Sequence, residues 1–143
     1  MTGCAHRQIP GTDIDDNDDT RSIIGVMMQY KSAMEARDAN AVIALASESF
    51  HDEGGTGTPA DDLDYKGLRD VLPKRLAKVD ELKLEMTVKK IVVNEQDDTA
   101  LATYYFNTTF RIPTLTNKIQ NESGIKQMEL KKVGGQWKLL SGI

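Results

Sequence analysis

Residues 82–112 carry the pattern that most narrows what this chain can fold into. They read as two long strand-like segments, LKLEMTVKKIVVNE and TALATYYFNTTFRI, joined by Gln96, Asp97 and Asp98. In the first segment Leu82, Leu84, Met86 and Val88 alternate with Lys83, Glu85, Thr87 and Lys89. A period of two puts one apolar face on a core and one polar face toward water. The phase then slips, because Ile91 and Val93 fall on odd numbers. One extra residue near Lys89 or Lys90 restores the register, which is the work of a β-bulge that also bends the strand. Gln96, Asp97 and Asp98 are polar and suited to a turn.

In the second segment Ala100, Ala102, Tyr104, Phe106, Phe110 and Ile112 share one face. Thr99, Thr103, Asn107, Thr109 and Arg111 share the other, with Leu101 and Tyr105 as exceptions. Small residues at one end and aromatics further along predict a hollow inner face, able to hold a helix, a ligand or both. The same aromatics also serve as ordinary core.

The rest of the chain supplies helices to cover that face. Asp19 or Thr20 is the expected N-cap of a first helix. Ile23, Met27, Tyr30 and Met34 form its apolar stripe. Asp38 caps a short helix over 39–47, and a short strand over 49–53 carries Phe50 inward. Residues 54–64 (GGTGTPADDLD) are a loop by composition. A third helix over 65–79 presents Leu68, Leu72, Leu76 and Val79, with a kink or break expected at Leu72 ahead of Pro73. Residues 113–122 read as a loop or hairpin tip. Two further strands, 123–133 and 136–140, meet at the Gly134-Gly135 turn. The expectation is an α+β domain over 20–143: a curved antiparallel sheet, shaped as a cone, packed against about three N-terminal helices.

Residues 1–19 hold one base, Arg7, and five acids, and read as a disordered acidic leader. The remaining residues balance at 17 bases and 17 acids. A balanced body without a basic stripe argues against nucleic-acid binding. Asp13, Asp15 and Asn17 match the first three ligand positions of a calcium loop, but Asp18 and Ile24 stand where Gly and Glu are required. No metal site and no cofactor is expected. The single cysteine excludes a disulfide framework.

Met1-Thr2-Gly3-Cys4 is similar to the end of a bacterial lipobox, which implies a lipid on Cys4 and an acidic leash to the folded part. No charged n-region or apolar h-region precedes it. With the lipid, the protein faces the periplasm from the cell envelope. Without it, the expectation is a cytoplasmic protein with an unpaired thiol.

The order of elements resembles the nuclear-transport-factor-2-like superfamily, which includes the SnoaL-like polyketide cyclases and ketosteroid isomerases. The residues that carry the resemblance are YKSAMEARDANAVIALASESF, 30–50, and SGIKQMELKKVGGQWKLL, 123–140. It implies a cavity between helices and concave sheet, and frequent homodimers. The inner-face residues expected to line a ligand pocket are Tyr30, Met34, Phe50, Met86, Tyr104, Phe106 and Met128.

Candidates for chemistry are few: Tyr30, His51 and Asp52. A histidine beside an acid at a cavity mouth can act as a general base. Neighbours on a strand point to opposite faces, however, so His51 and Asp52 do not both face inward. The isomerases set an Asp base against an oxyanion hole, and no acid is expected on the inward strand faces here. The leading expectation is a non-catalytic domain for a small apolar ligand or a protein partner. The alternative is a cyclase- or isomerase-like enzyme.

Overall fold

The computed structural model describes residues 7–52 and 63–143. Within them lie helices α1 (Asp18–Glu35), α2 (Ala39–Leu45) and α3 (Tyr65–Ala77). A small antiparallel pair joins β1 (His51–Asp52) to β2 (Leu63–Asp64). The main sheet holds β3 (Asp80–Asn94), β4 (Thr99–Arg111), β5 (Gln120–Val133) and β6 (Gln136–Ser141) as an open antiparallel meander in the order β3-β4-β5-β6. This is the α+β cone read from the sequence: a curved sheet roofed by three helices.

The bulge falls where the phase slip placed it. Val88 pairs with Tyr104 and Lys90 with Thr103, so Lys89 is the extra residue. Leu84 and Met86 before it, and Ile91 and Val93 after it, therefore share one face despite the change from even to odd numbers.

Helix α1 begins at Asn17, earlier than expected. The Asn17 side chain accepts from the Thr20 amide at 2.9 Å, and the Thr20 hydroxyl accepts from the Asn17 amide at 3.1 Å, which closes a capping box. The helix ends in a Schellman turn: Arg37 N donates to Met34 O and Asp38 N to Ala33 O, both at 2.9 Å. Arg37 takes the left-handed conformation that turn requires, φ 55°. Asp38 then caps α2 by accepting from the Ala41 amide at 3.1 Å. Arg37 and Asp38 thus make the corner between α1 and α2.

Polar contacts pin α1 across the sheet at both ends. At its start, Asp19 accepts from Lys132 Nζ at 3.1 Å and Trp137 Nε1 at 3.2 Å. At its end, Glu35 accepts from the Leu84 amide of β3 at 3.2 Å. Between them Ile23 and Met27 are fully buried. Each such side chain contributes about 1.5–3 kcal/mol of transfer free energy.

Several expectations need correction. The break expected at Leu72 does not occur. α3 continues through Pro73, and only the Arg69 carbonyl loses its usual amide partner. Strand β5 starts at Gln120, so the expected 113–122 loop is shorter. Gln120, Asn121 and Glu122 are polar and hide the strand from a hydrophobic pattern, yet they pair with Phe110, Thr109 and Thr108. Leu63 and Asp64, read as loop, form β2; residues 54–62 lie outside the described residues.

The acidic leader is also ordered where it is described. Ile9 N donates to Ile14 O at 2.8 Å and Asp16 N to Arg7 O at 2.7 Å, around a turn through Pro10 and Gly11. Ile14, the one apolar residue in the acidic run, is 2% exposed. Its burial and these backbone bonds offset the cost of ordering a charged segment. Cys4 and His6 lie outside the described residues.

Candidate functional site

Beneath the helices the inner face of the sheet does not close. A cavity of about 710 Å³ remains there, within the usual range of small-molecule sites. Helix α3 supplies Leu68, Leu72 and Leu76 as one wall, and α1 supplies Tyr30 and Met34. The sheet supplies Leu84, Tyr104, Phe106, Thr108 and Phe110. The apolar lining follows from the periods already described: an i, i+4 leucine stripe on α3 faces the even-numbered stripe of β4.

One region of the cavity is polar. The Tyr104 hydroxyl donates to Gly142 O at 2.7 Å, and Gly142 N donates to Asp52 Oδ2 at 3.0 Å. Tyr30 stands close by, 6% exposed, and no hydrogen bond joins its hydroxyl to another described residue. Burial pushes the Tyr30 phenol well above the usual tyrosine range, and the neighbouring Tyr104 and Asp52 add to that. Burial and then Asp52 do the same to Tyr104. Both phenols therefore remain protonated donors at neutral pH. Charged groups reach the rim: Arg75 from α3 and Glu122 and Lys126 from β5. Lys126 lies 4.8 Å above the Phe106 ring, a cation–π distance.

No family model and no curated protein sequence matches the chain. Solved structures do. One is a candidate scytalone dehydratase from Novosphingobium aromaticivorans, at TM-score 0.74 and 16% identity over 87% of this chain and 80% of that one. A ketosteroid isomerase-like protein from Erwinia carotovora atroseptica matches at 0.71 and 20%, over 90% and 98%. A candidate dehydratase of the NTF2-like family from Streptomyces avermitilis matches at 0.67 and 18%, over 87% and 92%. The fold is the nuclear-transport-factor-2-like cone. The identities are low, so the likeness concerns the fold, and the chemistry of the cone has to be argued from its residues.

Five of the seven residues expected in the pocket line the cavity: Tyr30, Met34, Phe50, Tyr104 and Phe106. Met86 and Met128 do not. Met128 sits opposite Ala102 and is fully buried, filling the room that a small partner leaves. Met86 is half-buried against the core. Of the three candidates for chemistry, Tyr30 and Asp52 reach the cavity of the cone. His51 is exposed and lies on the other side of β1, as strand alternation requires.

Sequence reading missed Glu122, Lys126, Arg75 and Gly142. Glu122 and Lys126 are in phase with Met128 and Leu130, so the alternation of β5 carries them onto the inner face once the strand is extended. An acid therefore does stand on an inward strand face, at the rim. Nothing local marks Gly142, whose partners are 90 and 38 residues away. Among the described residues no cluster of His, Cys, Asp and Glu is arranged to hold a metal, and no helix is long and apolar enough to cross a membrane.

Proposed function

We propose that the cone binds one small, mostly apolar molecule bearing a hydrogen-bond acceptor. The observation that carries this is the 710 Å³ cavity with leucine and aromatic walls, into which the Tyr30 phenol projects. A pocket of that kind orients a ligand by its few polar groups and gains affinity from apolar burial. Calorimetric titration with 2-acetylnaphthalene, a neutral aromatic ketone, tests it. Saturable binding of one molecule per chain is expected, and no saturable heat from this or related neutral aromatics would end the reading.

A second reading is acid–base catalysis of an isomerase, cyclase or dehydratase kind. It is favoured by Asp52 standing in the cavity beside two protonated phenols. In this reading Asp52 takes a proton from the substrate and Tyr30 donates a hydrogen bond to the oxygen where negative charge develops. Turnover of a ketosteroid or polyketide mimic, lost in Asp52→Asn, is its signature.

Two further features belong to the proposal. The outer face of the sheet carries Val92, Tyr105 and Ile125, which are 50%, 37% and 70% exposed, and this apolar face fits pairing of two copies into a homodimer. Sedimentation of the intact chain checks it. The lipobox-like start suggests a lipid on Cys4 and a periplasm-facing address in the cell envelope. Mass spectrometry of the native N-terminus tests that, since an unmodified Met1 rules the anchor out.

A further inference from the structure

The two edges of the main sheet are built differently. Along β3 the Lys89 bulge twists the edge and Glu35 takes the Leu84 amide, and both devices blunt it. On the other side β6 pairs only with Glu129–Val133 of β5, and Gly142 then lies against Gln127. Residues 120–126 of β5 are bonded to β4 alone among the described residues. Backbone direction alternates along a strand of an antiparallel sheet. Lys132 N donates to Asp98 O on the β4 side, while the Gln127 carbonyl turns to the other side, beneath Gly142. Odd-numbered residues of β5 therefore turn their N–H and C=O away from β4. Those of Asn121, Ser123 and Ile125 meet no backbone partner among the described residues. No proline and no bulge interrupts this stretch, and Ile125 is 70% exposed. Such an edge is a template for another strand.

We propose that the open edge of β5 pairs with the same edge of a second copy, antiparallel about a two-fold axis at Gly124. Ser123 and the partner's Ile125 then exchange both backbone bonds, and Ile125 does the same with the partner's Ser123. The charges select this register. Glu122 and Lys126 share the inner face and stand at equal distances along β5 on either side of Gly124. With the axis there, each Glu122 lies directly opposite the partner's Lys126, at a Cβ separation of about 4.5–5.5 Å. An axis at Ser123 or Ile125 leaves both residues without an opposite charge. An axis at Glu122 or Lys126 sets like charges against each other, which is destabilising. Glu122 has no ion-pair partner among the described residues of its own chain. Lys126 has three donors, of which the Ile143 carbonyl takes one. On the outer face the two Ile125 side chains become diagonal neighbours and cover each other. Glu122 and Lys126 also line the rim of the cavity, so the partner's Lys126 comes to stand at the mouth of each cone. This pairing continues one sheet into the next, whereas the face-to-face packing proposed above stacks them.

Sedimentation equilibrium of the intact chain tests this with Glu122→Lys, Lys126→Glu and the two changes together. Both positions are exposed, so the variants are expected to fold. The wild type is expected to self-associate in a concentration-dependent step. Each single reversal is expected to weaken that step at least about tenfold, because both cross-strand pairs turn from attraction to repulsion. The double swap restores opposite charges across the axis and is expected to recover the wild-type affinity. An equimolar mixture of the two single variants is expected to recover it as well, as a heterodimer. Amide exchange gives a second readout: protection of the Ser123 and Ile125 amides rises with protein concentration in the wild type and not in Glu122→Lys. A wild type that stays monomeric at millimolar concentration overturns the proposal and leaves the edge to an extended segment of another protein. Self-association that neither reversal weakens, with both amides unprotected, also overturns it and assigns the contact to the outer face of the sheet.

Discussion

Ala102 and Met128 stand directly opposite each other on β4 and β5, and both are fully buried. This pair closes one end of the cone. Ala100 faces Leu130 in the same way one step further in. Two residues in the other direction Tyr104 faces Lys126, and then Phe106 faces Gly124. The small residues are filled by their partners, and the large ones prop the helices off the sheet. The hollow therefore begins at Tyr104.

Removing the filler should be costly. Met128→Ala leaves an unfilled volume at the packed end and is expected to destabilise by about 2–5 kcal/mol. Ala102→Leu overpacks the same spot and is expected to cost about 1–3 kcal/mol. Urea denaturation measures both.

Tyr30→Phe isolates the hydroxyl. The ring keeps its packing, so stability changes little. Affinity for 2-acetylnaphthalene is expected to fall about tenfold through the lost hydrogen bond. Calorimetry on the folded variant checks this.

Gly124 offers a way to narrow the cavity without touching its polar groups. A Cβ there would lie 3.3 Å from Phe106 Cε1, and that ring also lines the cavity. Gly124→Leu is expected to drive the ring inward and weaken probe binding at least about tenfold, while costing less stability than Met128→Ala. Titration and thermal melting read the two effects.

The Glu35 carboxylate links α1 to the edge strand β3 and carries a pH dependence. Its hydrogen bond from Lys31 lowers its pKa below the ordinary 4.5, against the opposing effect of burial, and the Leu84 amide adds to the lowering. The folded-state pKa is thus below the unfolded one. Charged Glu35 contributes stability above the unfolded value, and that contribution is lost as the pH falls through the folded value. Glu35→Gln is expected to melt below the wild type at neutral pH, with the gap closing as the pH falls below the ordinary glutamate value and through the lowered folded one. Melting curves across that range give the sign directly.

How much of this was legible in the sequence depended on the range of the interactions involved. The central hairpin and its bulge were readable because a half-buried strand forces a period of two, and a slip in that period has one cheap structural solution. The stripes of α1 and α3 were readable for the same reason at helical spacing. The first turns of β5 were not, since Gln120, Asn121 and Glu122 pair through backbone and carry no apolar mark. The ordered acidic segment was hidden by its charge, with Ile14 as its single buried anchor. The polar region of the site joins Tyr30, Asp52, Tyr104 and Gly142 from four distant parts of the chain. Tyr30 and Tyr104 sit in apolar stripes that point inward, and Asp52 was named only for its place after Phe50 beside His51, so Gly142 alone of the four carried no sign.

The most direct test of the account is a crystal structure of the protein under xenon pressure, because apolar cavity walls of Leu and Phe take up the gas. The account predicts ordered xenon among Leu72, Phe50 and Phe110, beneath α3. Side chains filling that space, with no xenon between helices and sheet, would contradict it.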